Sequence, residues 1–292
     1  MNIPKITLND GSMIPQLGIG TLGITPDRQP TPANIKKTAE IVGLALEVGY
    51  RHIDTAQSYG TEEGVGQAIA ASGIPREELY ITSKLHNGNH RPDDVRRSFA
   101  ETLEKLGLEQ LDLFLIHWPV PTLYDGDFVS TWKAVAALVK DGRLRSAGVS
   151  NFQPAHLDRI IAETGVVPAV NQIEVYPYFS NTAARSASIR HGMAVEAHSP
   201  LAHGRVLNDD VIRQIAAERG RSSAQVILCW HIQQGRIVFP GSKHRERLEE
   251  NLKIFDFELT DAEIAAIDAL DKGESGRVGP NPEEFDWIPS ET

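Results

Sequence analysis

Residues 79–117 read LYITSKLHNGNHRPDDVRRSFAETLEKLGLEQLDLFLIH. The run 79–83 is strand-like, 92–106 has helical spacing that stops at Gly107, and 111–116 (LDLFLI) is apolar enough for a buried strand. This is one strand–helix–strand unit, and the alternation extends both ways. Upstream, 5–8 and 12–14 flank Asn9-Asp10-Gly11, a hairpin signal, and 17–20 is the first candidate strand. A helix over 35–48 puts Ile41, Leu44, Ala45 and Val48 on one face and ends before Gly49; a strand over 51–54 and a helix over 62–71 follow. Downstream, helices over 128–140, 154–163, 183–191, 209–219, 224–234, 245–253 and 261–270 are interleaved with strands over 144–149, 169–173, 193–197 and 237–239.

That pattern predicts a parallel sheet with helices outside it. Eight units in ~250 residues fit a closed (β/α)8 TIM barrel with an N-terminal β-hairpin better than an open sheet. An open dinucleotide fold needs Gly-x-Gly-x-x-Gly between a strand and a helix. Here Gly18 and Gly20 have no third partner, and a Pro-rich loop follows them.

The 292 residues carry 29 Lys and Arg against 39 Asp and Glu, a formal charge of −10. Phosphate binding wants a basic surface, so nucleic acid is disfavoured as a partner. Cys229 is the only cysteine, which excludes an internal disulfide and a cysteine-rich zinc site; its setting in a helical run reads as a small buried hydrophobe. No apolar run approaches the ~18 residues of a membrane span. Residues 1–11 lack a signal-peptide core, so a cytoplasmic protein is expected. Composition does not shift along the chain, which is read as one domain over 1–292 with irregular, Gly- and Pro-rich segments at 23–33 and 273–292. Nothing argues for an oligomer, so a monomer is expected.

In such a barrel, chemistry gathers at the C-terminal ends of the strands. Polar residues end the apolar runs at Asp54, Lys84, His117, Ser150 and Asn151, Gln172 and Glu174, His198 and Ser199, and Ser242 and Lys243. Taken singly, each is more often a solvated or structurally paired group. Together, Asp54, Tyr59, Lys84 and His117 supply a charge pair, a phenol and an imidazole at one barrel mouth. That is an inventory for acid–base work on a carbonyl. A free phenol, with a pKa near ~10, exchanges protons poorly at neutral pH. A lysine ammonium beside it lowers that value, an aspartate keeps the lysine charged, and the histidine orients the carbonyl oxygen. No metal is needed, and no metal-binding motif stands out: His86 and His90 lie in an Asn/Gly loop with no His-Glu-x-x-His helix.

At these positions the chain resembles the aldo-keto reductase family. The matching stretches are 49–56 (GYRHIDTA) with Tyr59-Gly60 and 62–66 (EEGVG), then LDL at 111–113 with IHWP at 116–119, GVSNF at 148–152, VNQIE at 170–174, and Ser242 with RLEEN at 247–251. The resemblance runs in order along nearly the whole chain. It is strongest to the bacterial 2,5-diketo-D-gluconate reductase group, through 69–74, 165–172 and 276–278. It implies Tyr59 as general acid, tuned by Lys84 and Asp54, with His117 orienting the substrate. Ser150, Asn151 and Gln172 would hold a nicotinamide carboxamide, with Asp54, His198, Ser199 and Leu201 nearby. Gly20, Thr21 and Leu22 would line the cofactor. Ser242, Lys243, Arg247, Glu250 and Asn251 would hold its adenosine end. The substrate pocket would comprise Tyr59, His86, His117 and Trp118. The tail from about 271 to 292 is expected over the site, with Trp287 as a lid contact.

Three departures from that pattern bear on specificity. Gly241 stands where the family usually has the lysine that pairs with the 2′-phosphate, so NADPH is favoured on Arg247, with Lys243 and His244 adjacent, and NADH stays open. His198 stands where an aromatic ring usually stacks on the nicotinamide, and His86 where a tryptophan often lines the pocket. A more polar mouth suits a small or hydroxylated carbonyl substrate, such as methylglyoxal or a keto-sugar acid. Two rivals are a non-catalytic cofactor-binding regulatory subunit of the same fold and a metal-dependent hydrolase. A pure sensor need not keep all four of Asp54, Tyr59, Lys84 and His117, and a metal hydrolase would lose activity to a chelator.

Overall fold

The computed structural model describes residues 3–289. Strands β1 (Lys5–Thr7) and β2 (Met13–Pro15) pair antiparallel around the turn at Gly11. Eight parallel strands follow: β3 (Ile19–Gly20), β4 (His52–Asp54), β5 (Tyr80–Leu85), β6 (Leu111–Ile116), β7 (Leu144–Ser150), β8 (Val170–Glu174), β9 (Ala194–His198) and β10 (Ile237–Val238). They hydrogen-bond in chain order from β3 to β10. A parallel bridge from Leu17 to Val238 joins the first strand segment to the last, with Gly18 N–H donating to Val238 O at 3.0 Å and Val238 N–H to Gln16 O at 2.9 Å. The sheet is thereby a closed barrel, as the alternation predicts.

The unit at 79–117 shows why the layers form. In β6, Leu113 and Leu115 belong to the apolar cluster inside the barrel, with Tyr80, Val170, Ile237 and Phe239. Phe114 and Ile116 belong to the larger cluster between barrel and helices. Alternation along the strand thus feeds two cores, which is why 113–116 are all apolar; Asp112, at the strand's start, is buried but paired with Arg76 and Arg145. Helix α3 (Pro92–Leu106) opens on Pro92 with Asp93 and Asp94 in its first turn and ends at Gly107, and its Phe99 packs edge-on against Phe114 with centroids 5.0 Å apart.

The other helices are α1 (Pro32–Val48), α2 (Glu62–Ser72), α4 (Phe128–Lys140), α5 (Pro154–Thr164), α6 (Thr182–Arg190), α7 (Asp210–Arg219), α8 (Ser223–Gln233), α9 (Arg245–Leu252) and α10 (Asp261–Asp268). Helix α1 starts earlier than its apolar spacing predicts. Thr31 caps it, accepting from Asn34 N–H, and Pro32 takes the first turn, where a missing N–H costs nothing. The irregular segment therefore ends near residue 31, not 33. Among the described residues, no helix is long and apolar enough to cross a membrane.

Candidate active site

Strand ends bring the predicted set together. At the end of β4, Asp54 faces the lysine of β5: Lys84 Nζ donates to Asp54 Oδ1 at 2.6 Å and to Thr55 O at 2.9 Å. Lys84 is completely buried, so this pair sits out of water. Tyr59 lies on the turn after β4, with Lys84 Nζ 5.1 Å from its ring centroid. Its hydroxyl is 3.4 Å from Nε2 of His117, which follows β6. Gly60, next to Tyr59, has φ +65°, and a Cβ there would lie 2.2 Å from Arg28 O. Only glycine fits, and the 23–31 loop is thereby packed directly against the Tyr59 turn.

A second network spans β7 to β9. Ser150 Oγ donates to Gln172 O at 2.8 Å. Asn151, held at φ +64° in the left-handed region, donates through Nδ2 to His117 O at 2.9 Å and to Ser150 Oγ at 3.1 Å. A non-glycine residue kept in that region at a strand end is the kind of local strain found at functional sites. His198 Nε2 is 3.0 Å from Asn151 Oδ1. Gln172 Nε2 donates to Asp54 Oδ2 at 2.9 Å, which joins this network to the first.

All of this opens on a cavity of about 900 Å3. Asp54, Tyr59, His117 and Trp118 line it, together with Ser150, Asn151, Gln172, His198 and Ser199 from the second network. Gly20, Leu22, Leu201, Gly241 and Arg247 also line it. Tail residues Phe285 and Trp287 line it as well: Phe285 meets Trp118 with centroids 4.2 Å apart, and Asn87 Nδ2 donates to Trp287 O at 3.0 Å. Trp287 is 51% exposed, at the rim. Residues 290–292 of the expected tail lie outside the described residues.

Other expected residues lie elsewhere. Thr21 is fully buried and bonds Thr61. His86 does not line the cavity; it is buried, and its Nδ1 accepts from Gly88 N–H. Glu250 is turned to α8, where its carboxylate takes the Ser222 hydroxyl. Asn251 is buried against Tyr50. Ser242 Oγ accepts from His244 N–H, and Lys243 is exposed.

Electrostatics alter one expectation. The Tyr59 phenol is raised, not lowered: burial dominates and Lys84 only offsets it. Burial also pulls on Lys84, but Asp54 and Tyr59 outweigh it and hold the ammonium above the ordinary lysine value. Burial, then the Lys84 charge, keeps His117 well below the usual histidine range, so its imidazole is neutral near pH 7.

Two residues with a bearing on the site were not singled out in the sequence. Arg28 lines the cavity and makes no ion pair among the described residues; its charge reaches both Tyr59 and His117. Glu196, on β9, is fully buried and accepts from Gln172 Nε2 at 2.8 Å. A charge in the middle of a buried strand was the readable signal for Glu196. Arg28 carried no such mark.

A family model described as Aldo/keto reductase family matches residues 16–272. An aldo-keto reductase of Mycolicibacterium smegmatis (strain ATCC 700084 / mc(2)155) is 46% identical over 97% of this chain and 98% of its own. Methylglyoxal reductase DkgA of Yersinia pestis is 42% identical over 97% of each chain. Among solved structures, a Bombyx mori aldo-keto reductase in complex with NADP matches with a TM-score of 0.85 at 36% identity, covering 93% of this chain and 94% of that one.

Proposed function

Because the chain belongs to the aldo/keto reductase family, we propose that it reduces small or polar aldehydes and ketones to alcohols with NADPH, Tyr59 acting as general acid. The observation that carries this is the buried Lys84–Asp54 pair at 2.6 Å beneath a tyrosine whose hydroxyl meets His117 at the cavity floor. A non-catalytic regulatory subunit would not need all four groups.

The cavity suits a dinucleotide. Its volume is about 900 Å3, and its lining includes the polar Ser150, Asn151 and Gln172 and also Arg247, which makes no ion pair among the described residues. Gly20 and Gly241 add no side chain to the lining; a Cβ on Gly20 would press on Phe239 O at 2.9 Å. A bound reduced nicotinamide supplies hydride. The protein moves the proton: Tyr59 Oη–H donates to the carbonyl oxygen as charge develops there, and Lys84 stabilises the phenolate that is left. Asp54 fixes the lysine. His117, being neutral, can turn an N–H toward the same oxygen without adding charge.

Intrinsic tryptophan fluorescence, titrated with NADPH and with NADH, tests the cofactor. NADPH should bind about tenfold tighter or better, the scale of one charge-assisted contact between Arg247 and a phosphate. Equal or tighter NADH binding would overturn the NADPH assignment, and binding of neither would overturn the reductase reading. Then kcat/KM for methylglyoxal, a keto-sugar acid and a large aromatic ketone tests the substrate class; a preference for the last would sink it.

Arg28 sharpens the substrate reading. The Arg28 guanidinium meets the Trp287 ring at 6.0 Å but makes no ion pair among the described residues, and in the pocket of Tyr59 and His117 it favours a carbonyl compound that carries a carboxylate. Arg28→Ala should raise KM about tenfold for a keto-sugar acid and leave neutral methylglyoxal within about twofold. Equal effects on both substrates would refute the assignment.

A further inference from the structure

The Gln172 amide nitrogen lies between two carboxylates, 2.9 Å from Asp54 Oδ2 and 2.8 Å from Glu196 Oε2. All three side chains are buried, Glu196 completely. An NH2 group has two hydrogens, and both are used here. Turned over, the amide would press its oxygen against the Asp54 carboxylate and leave Glu196 Oε2 without its N–H donor, so the two contacts together favour one orientation. Gln172 therefore presents its carbonyl oxygen to the cavity it lines, and that oxygen accepts nothing among the described residues.

Asp54 has a second task, since it also holds Lys84. Glu196 has no such partner: it makes no ion pair among the described residues, and its Oε1 is buried without a hydrogen bond. We propose that Glu196 is a positioning residue, which holds the Gln172 amide with its oxygen toward the cavity and so makes the site select a nicotinamide bearing an N–H donor on its carboxamide. The inference rests on the reductase reading above. Burial, followed by the neighbouring Asp54 charge, pushes the Glu196 carboxyl up to about 8. Near neutral pH it is then largely uncharged, and it acts as a hydrogen-bond acceptor and not as a counter-ion for Lys84.

The two roles separate on substitution. Glu196→Gln keeps an acceptor of the same shape and abolishes the charge, whereas Glu196→Leu and Glu196→Ala remove the acceptor. The probes are NADPH and its reduced 3-acetylpyridine analogue, in which a methyl ketone replaces the carboxamide and the N–H is lost. Dissociation constants are read from tryptophan fluorescence, with no turnover required. The unaltered protein should bind NADPH about tenfold tighter than the analogue, the scale of one hydrogen bond at a buried site. Glu196→Gln should keep that ratio, and the leucine and alanine variants should cut it to about twofold.

The proposal is overturned if the unaltered protein binds both dinucleotides equally. It is also overturned if both apolar variants keep the full ratio, or if the glutamine variant loses it with them. Because the first comparison needs no variant, misfolding of the leucine or alanine form does not protect the idea. Failure to bind either dinucleotide would instead remove the reductase reading, and this inference with it.

Discussion

Replacing Tyr59 by phenylalanine will lower kcat/KM for carbonyl reduction by about 100- to 10,000-fold and leave the dissociation constant for NADPH within about twofold. The phenyl ring keeps the edge-on contact with His117, whose centroid is 5.6 Å away, so the pocket keeps its shape. Only the hydroxyl goes. Its loss removes the group that would donate to the carbonyl oxygen, and no other O–H donor is seen beside His117 Nε2 among the described residues. Because burial already holds this phenol in its protonated form, the wild-type donor is ready at neutral pH without a prior titration. Steady-state kinetics and fluorescence titration on one preparation check both halves. Turnover within about tenfold of wild type would show that the proton comes from elsewhere.

Lys84→Met will destabilise the fold by about 3–5 kcal/mol, the cost of leaving one member of a buried ion pair without its partner. The ammonium is completely buried and bridges Asp54 with Thr55 O, so solvent screening offers no relief. Methionine fills much the same space, so the loss will be electrostatic and not a cavity. Adding Asp54→Asn to Lys84→Met should therefore recover a large part of the stability but none of the activity. Urea unfolding of the wild type, the single variant and the double variant gives the comparison. A double variant no more stable than the single would show that the lysine matters for packing alone.

The sequence revealed the barrel because each strand–helix unit obeys a local rule. At 113–116 the apolar run is continuous because parallel strands are buried on both faces, and at 92–107 proline and glycine punctuate the helix. Helix α1 began early because capping by Thr31 and Pro32 is chemistry that apolar spacing does not report. The candidate site was legible because Asp54, Lys84 and His117 each stand at or next to the end of a strand, and Tyr59 stands on the turn behind one of them. The tuning of that set was not. Whether Lys84 or burial wins at Tyr59 depends on depth, which spacing along the chain does not carry. Side-chain direction was hidden for the same reason: Glu250 and His86 stand in the expected stretches yet turn away from the cavity. Arg28 entered the pocket through a loop whose course depends on a contact with Gly60, far from it in sequence.

The barrel's closure has a consequence for how the molecule holds together. Where β3 meets the segment at Val238, each named strand is two residues long, and the two backbone bonds given by Gly18 and Val238 do most of the joining. By contrast, β5 and β6 run together from Thr82–Leu113 to Leu85–Ile116. Residues from both sides of this thin seam line the cavity, Gly20 at the end of the first strand segment and Gly241 and Arg247 after the last. A ligand seated there would touch both sides, and part of its binding free energy would then act to hold the first and last strands together. At this join a bound molecule would add to what short backbone pairing supplies.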